Sequence, residues 1–82
     1  MNNKQIQWIN VEDSLPEKDT DVYCIIEYND GELWANVRWR SIFDDTIVDD
    51  HGFVIYPHVE KRIVAWMPIP DYPNLFKKHE NK

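Results

Sequence analysis

A chain of 82 residues has room for one hydrophobic core, because at this size folding buries only about 60 % of the surface the unfolded chain exposes. Hydrophobic residues make up 43 % of it and aromatics 13 %, four tryptophans among them, so the core can close without staples and the middle of the chain is not expected to be disordered. The formal net charge is −6, from fifteen acids against nine Lys and Arg, which argues against extended binding to the phosphate backbone of DNA or RNA.

Residues 1–7 are polar and read as a flexible N-terminus without the apolar core of a secretion signal. Trp8-Ile9-Asn10-Val11 reads as a short edge segment, followed by a turn at Leu15-Pro16. Residues 21–41 hold two β-branched and aromatic runs on either side of Asn29-Asp30-Gly31-Glu32, and Asp-Gly is a strong hairpin signal. A two-residue turn at Asp30-Gly31 pairs Tyr28 with Leu33, Ile26 with Ala35, Cys24 with Val37 and Val22 with Trp39 on one apolar face. The opposite face then pairs Glu27 with Trp34, Ile25 with Asn36, Tyr23 with Arg38 and Asp21 with Arg40. A loop one residue longer would set Cys24 against Asn36 and mix the faces, so the pattern favours the two-residue turn, with Cys24 inside and Arg38 outside.

Residues 42–51 read as a loop around Thr46-Ile47-Val48, flanked by the doublets Asp44-Asp45 and Asp49-Asp50. A second hairpin is expected from strand 52–56, a turn over 57–61 and strand 62–69, ended by Pro68 and Pro70. The stretch 74–82 is a polar tail, frayed from Lys77 onward. The expected fold is mainly β, one domain over residues 8–73, with a single meander-like antiparallel sheet of four to five strands and at most one short helix, in the tail or after Leu15.

Trp8 and Trp66 lie near the two ends and are expected to pack together, clamping the N-terminal segment on the last strand. Cys24, the only cysteine, forbids an internal disulfide, fits a reducing cytoplasm and reads as a core residue rather than a nucleophile. His51, His58 and His79 match no zinc spacing, and the loop aspartates lack the spacing and glycine of an EF-hand. No phosphate loop, nucleophile elbow or metalloprotease motif occurs, so an enzyme and a cofactor are not expected. No apolar run approaches the roughly 18 residues of a membrane helix, and the expected location is cytoplasmic.

One strip stands out. Tyr23, Trp34, Asn36, Arg38 and Arg40 share the polar face of the expected hairpin, where aromatic rings beside guanidinium groups could stack a base and hold a phosphate. An ordinary solvated sheet face, with Asp21 on Arg40 and Tyr23 along the stem of Arg38, is the competing account. The last strand reads apolar on both faces, with Ile63, Ala65, Met67 and Ile69 on one and Val64 and Trp66 on the other. A homodimer, a bound partner or the N-terminal segment would each cover it.

Trp8-Ile9-Asn10-Val11-Glu12-Asp13-Ser14-Leu15-Pro16, together with Trp66-Met67-Pro68-Ile69-Pro70, resembles the phage and prophage family called domain of unknown function 551. Members open on a Trp-Ile-Ser-Val-x-Asp-x-Leu-Pro type stretch, carry a Val-rich hairpin and close on a His-Trp-Met-Pro-Leu-Pro type stretch. Here Ala65 stands where that histidine often stands, so any function it serves in relatives is not carried over. The resemblance implies a phage accessory protein in the bacterial host cytosol, without an activity to transfer. Two binding roles follow as expectations. In one the strip, with its dimer mate, sequesters a small nucleotide signal. In the other the acidic loops dock on a basic surface of a host defence protein and block it.

Overall fold

The computed structural model describes residues 7–69. Four strands, β1 (Ile9–Asn10), β2 (Val22–Tyr28), β3 (Leu33–Arg38) and β4 (Glu60–Pro68), form one antiparallel sheet in the order β1-β4-β2-β3. The mainly β class and the strand count are as expected, and the described residues contain no helix. The order is not that of a simple meander, because β4 pairs with β2 and leaves β3 as an edge.

β2 and β3 form the expected hairpin in a different register. Tyr23 pairs with Val37, Cys24 with Asn36, Ile25 with Ala35 and Ile26 with Trp34, one residue away from the arrangement that the separation of faces favoured. The turn decides this. Tyr28 N–H donates to Glu32 O at 2.8 Å and Gly31 N–H to Tyr28 O at 2.9 Å, enclosing the three-residue loop Asn29-Asp30-Gly31. Gly31, at φ 92°, is the only residue of this loop in the left-handed region, whereas a two-residue type I′ turn needs two. Asp30 Oδ1 adds a local bond by accepting from Glu32 N at 3.0 Å.

A one-residue slip turns every β3 side chain over relative to β2. Trp34, Asn36 and Arg38 therefore share the face of Ile26, Cys24 and Val22, while Leu33, Ala35 and Val37 share the outer face with Tyr23 and Ile25. The ladder bonds of Trp34, Asn36 and Arg38 point to β2, leaving the peptide groups of Val37 on the open edge. Asn36 Oδ1 accepts from Val37 N at 2.7 Å and Arg38 Nη1 donates to Val37 O at 2.9 Å, which blunts that edge against another strand.

β4 reaches the core through two irregularities. Its register shifts between Ile25 and Ile26 and again between Glu27 and Tyr28, leaving Val64 and Lys61 as extra residues. The shifts bring Glu60, Ile63 and Trp66 to the core face and Arg62, Ala65 and Met67 to the outer one, in place of the strict alternation read from the sequence. Val11, Val22, Cys24, Ile26, Phe53, Ile55, Ile63 and Trp66 make the core, with Ile9, Leu15 and Tyr28 packed against it.

The second expected hairpin is not formed. Phe53 bridges to Arg40 and Val54 to Val48, so this stretch pairs with the preceding loop and not with β4. Phe53 is fully buried and Ile55 7 % exposed, so the long β3–β4 connection caps the inner face of the sheet instead of widening it. At the N-terminal end Ile9, not Trp8, stands opposite Trp66, and Trp8 remains 44 % exposed. The alternation of the strand turns Trp8 away, and the clamp is made by Ile9, Val11 and the bond from Trp66 Nε1 to Ser14 O at 2.9 Å. The polar tail, His79 and the frayed end expected from Lys77 lie outside the described residues.

Burial pushes the Cys24 thiol up to about 12 from 9.0. It stays protonated and inert at neutral pH. Below pH 9.0 the thiol is neutral in folded and unfolded chains alike, and as pH rises from 9.0 toward about 12 only the unfolded form ionises, so stability falls across that window. Labelling by a thiol reagent at pH 8 is therefore expected to run at the rate of unfolding. Labelling as fast as a free thiol would contradict the buried position.

Candidate functional site

The hairpin strip divides. Tyr23 lies half-buried on the outer face, opposite Val37 and Met67. Trp34 and Asn36 are exposed on the other face, and Trp34 Nε1 donates to Glu32 Oε1 at 3.1 Å. Arg38 shares that face but is buried, and Arg40 lies beyond β3, its Nε donating to His51 O at 2.8 Å and its Nη1 to Pro16 O at 2.9 Å. The structure thus keeps Trp34, Asn36 and Arg38 together, places Tyr23 behind the sheet and directs Arg40 into the loops. The slip in register is the physical reason.

Arg38, expected outside, is 7 % exposed. Its Nη2 meets Glu60 Oε2 at 2.6 Å, its guanidinium lies 4.9 Å from the centre of the Tyr56 ring, and Nε has no acceptor among the described residues. Glu60, 2 % exposed, accepts from Tyr56 N at 3.0 Å through its other oxygen. Two charges removed from water are tolerated because each neutralises the other. The charge of Arg38 is therefore already committed inside the protein, where it ties β3 to the start of β4.

Residues 41–52 form a loop whose organiser is Asp49. Its Oδ1 accepts from His51 N at 2.9 Å and Phe53 N at 3.0 Å, and its Oδ2 accepts from Ile63 N at 2.8 Å, an amide beside the irregularity in β4. Gly52, at φ 93°, closes the turn by donating to Asp49 O at 3.1 Å. In the sequence Asp49 stands as one of the loop aspartates of the doublets Asp44-Asp45 and Asp49-Asp50. The readable signal was Asp at the first and Gly at the fourth place of Asp49-Asp50-His51-Gly52, a common turn pattern.

Asp49 fixes the loop, and the loop presents apolar side chains to water. Ile42 is 53 % exposed, Phe43 65 %, Ile47 60 % and Val48 37 %. Asp44, Asp45 and Asp50 are exposed around them. Ser41 Oγ accepts from Phe43 N at 2.9 Å, holding the phenylalanine at its position on the loop. Among the described residues no three His, Cys, Asp or Glu side chains gather as a metal ion would require, and His51 faces Glu12 at 3.7 Å. At the far end of the sheet Glu27 bridges to Arg62 at 2.6 Å, and that hydrogen bond holds the Glu27 carboxyl below the usual carboxylate range. No helix among the described residues is long and apolar enough to cross a membrane.

These features define a small single-sheet β protein whose acid-fringed loop over residues 41–52 carries large apolar groups outward. The chain belongs to the family described as Protein of unknown function (DUF551), which it matches over residues 7–74. No curated protein and no solved structure matches it.

Proposed function

We propose that this protein acts without catalysis, by docking residues 42–48 on a basic surface of another protein. The reading is carried by one observation: Ile42, Phe43 and Ile47 are each more than half exposed on a loop that Asp49 binds to the rest of the fold. Large apolar groups held in water on a fixed backbone lose little further entropy when they are covered, and this favours association. Asp44, Asp45 and Asp50 supply the fringe that steers a basic partner and slows separation from it. With the net charge of −6, the same acids disfavour acidic partners.

In the phage setting that the family resemblance implies, the partner would be a host defence protein, and docking would block it. The docking reading is preferred to sequestration of a nucleotide on the hairpin strip because Arg38, the strip's central cation, is already paired with Glu60. The test is retention of proteins from a bacterial lysate by the immobilised chain, compared with a Phe43→Ser/Ile47→Ser variant of unchanged circular dichroism. A basic protein is expected to be retained at low salt by the parent and at least about tenfold less by the variant, a loss of about 1.4 kcal/mol. Equal retention by both, or retention that does not weaken with salt, would refute the docking surface.

A further inference from the structure

A cleft of about 420 Å³ opens beneath the same loop, within the size range of small-molecule sites, and two cations of the described residues, Arg40 and Lys18, line it. Arg40 uses Nε and Nη1 on the carbonyls of His51 and Pro16, which fix the guanidinium plane. Among the described residues Nη2 has no acceptor and no carboxylate bridges to Arg40, although Asp44 and Asp50 line the same cleft. Gly52 leaves that group uncovered, since a Cβ there would lie 3.6 Å from Nε and 3.9 Å from Nη2. Lys18 supplies a second cation, also without an ion pair among the described residues, and Phe43 supplies an exposed ring at the wall.

A fixed guanidinium edge beside an ammonium suits an oxyanion. The two carboxylates require that such a ligand carry more than one negative charge on the cationic side and N–H or O–H donors on the other. The ring of Phe43 adds a surface on which a planar group can stack. We propose that the cleft binds a nucleoside monophosphate, its phosphate on Arg40 and Lys18, its ribose or base donors toward Asp44 and Asp50, and its base against Phe43. On a molecule of net charge −6 the distant acids are screened over about 8 Å at physiological salt, so the placement of Arg40 and Lys18 against Asp44 and Asp50 within the cleft governs how a ligand is oriented there. The proposal differs from protein docking in resting on Arg40 and Lys18, which take no part in the docking surface, while Phe43, Asp44 and Asp50 are shared by the two.

Calorimetric titration of the full chain with adenosine 5′-monophosphate, inorganic phosphate and adenosine tests it. The monophosphate is expected to bind with a Kd below about 1 mM, phosphate about tenfold more weakly and adenosine without measurable heat. Lys18→Ala, at an exposed position, is expected to weaken the monophosphate about fivefold, and Arg40→Lys more than that. Arg40→Lys could also loosen the loop through the lost carbonyl bonds, so Lys18→Ala is the deciding variant. No binding of the monophosphate at millimolar concentration, phosphate binding as tightly as the monophosphate, or an unchanged affinity in Lys18→Ala would each overturn the proposal. None of these results would alter the lysate retention by which docking is judged.

Discussion

Arg38→Ala is expected to lower the unfolding free energy by about 3–5 kcal/mol, which for so small a domain removes most of its stability. The variant leaves Glu60, 2 % exposed, with a buried charge whose remaining partner is the amide of Tyr56 at 3.0 Å. Glu60→Ala is expected to be as severe for the opposite reason. It strands a guanidinium that is 7 % exposed and already has an unsatisfied Nε, and it also orphans the Tyr56 amide. The double variant Arg38→Met/Glu60→Leu removes both charges and fills a similar volume, so it should recover most of the loss. Urea unfolding of the three variants measures this. Single-variant losses below about 1 kcal/mol would show a solvated pair of the surface kind.

Asp49→Ala is expected to cost about 3 kcal/mol. Three backbone amides, those of His51, Phe53 and Ile63, lose a charged acceptor at once, and each such bond is worth about 1.5–3 kcal/mol before relaxation and water entry reduce the sum. Asp49→Asn should fall between parent and alanine, because its carbonyl oxygen can keep His51 and Phe53 while its amide nitrogen meets the Ile63 N–H as a second donor. Hydrogen exchange supplies the local readout. The Phe53 and Ile63 amides should exchange much faster in Asp49→Ala than in the parent at matched global stability, and unchanged protection would remove Asp49 from its organising role. Because Asp49 holds the loop that carries Phe43 and Ile47, the same variant should weaken docking without altering any side chain that docks.

The existence of the hairpin was legible in Asn29-Asp30-Gly31-Glu32, yet its register was not. Both candidate registers use Asp30 and Gly31, and clean separation of apolar from polar residues favoured the two-residue turn. What overrides that separation is Glu60, 22 residues away from Arg38, whose carboxylate makes a buried arginine tolerable. Trp34 and Asn36 also escape the pattern, because at an open edge the core-side face is not covered and polar groups incur little penalty there. In β4 a strict period of two put Ile63 and Trp66 on opposite faces, and only the extra residue Val64 brings them to the same side. The paired tryptophans at the two ends suggested a clamp of the right kind with the wrong member, since Ile9 takes the place opposite Trp66.

For the candidate site, composition showed the acids of residues 44–50 but not the division of labour among them. Asp49 faces inward to backbone amides while Asp44, Asp45 and Asp50 remain in water, a difference set by the fold of the turn and not by residue type. The sequence marks residues 42–51 as a loop around Thr46-Ile47-Val48, with nothing in it to show that Ile42, Phe43 and Ile47 stay exposed. Their exposure follows from Phe53 and Ile55 having already filled the inner face of the sheet.

Hydrogen exchange on the complex with the retained partner tests the docking surface most directly. It compares the loop over residues 42–48 with the outer-face residues of β3, Leu33, Ala35 and Val37. Docking through the loop predicts new protection at Ile42, Phe43 and Ile47 on binding and none at Leu33, Ala35 and Val37. Protection confined to β3, with the loop exchanging as it does in the free protein, would contradict it.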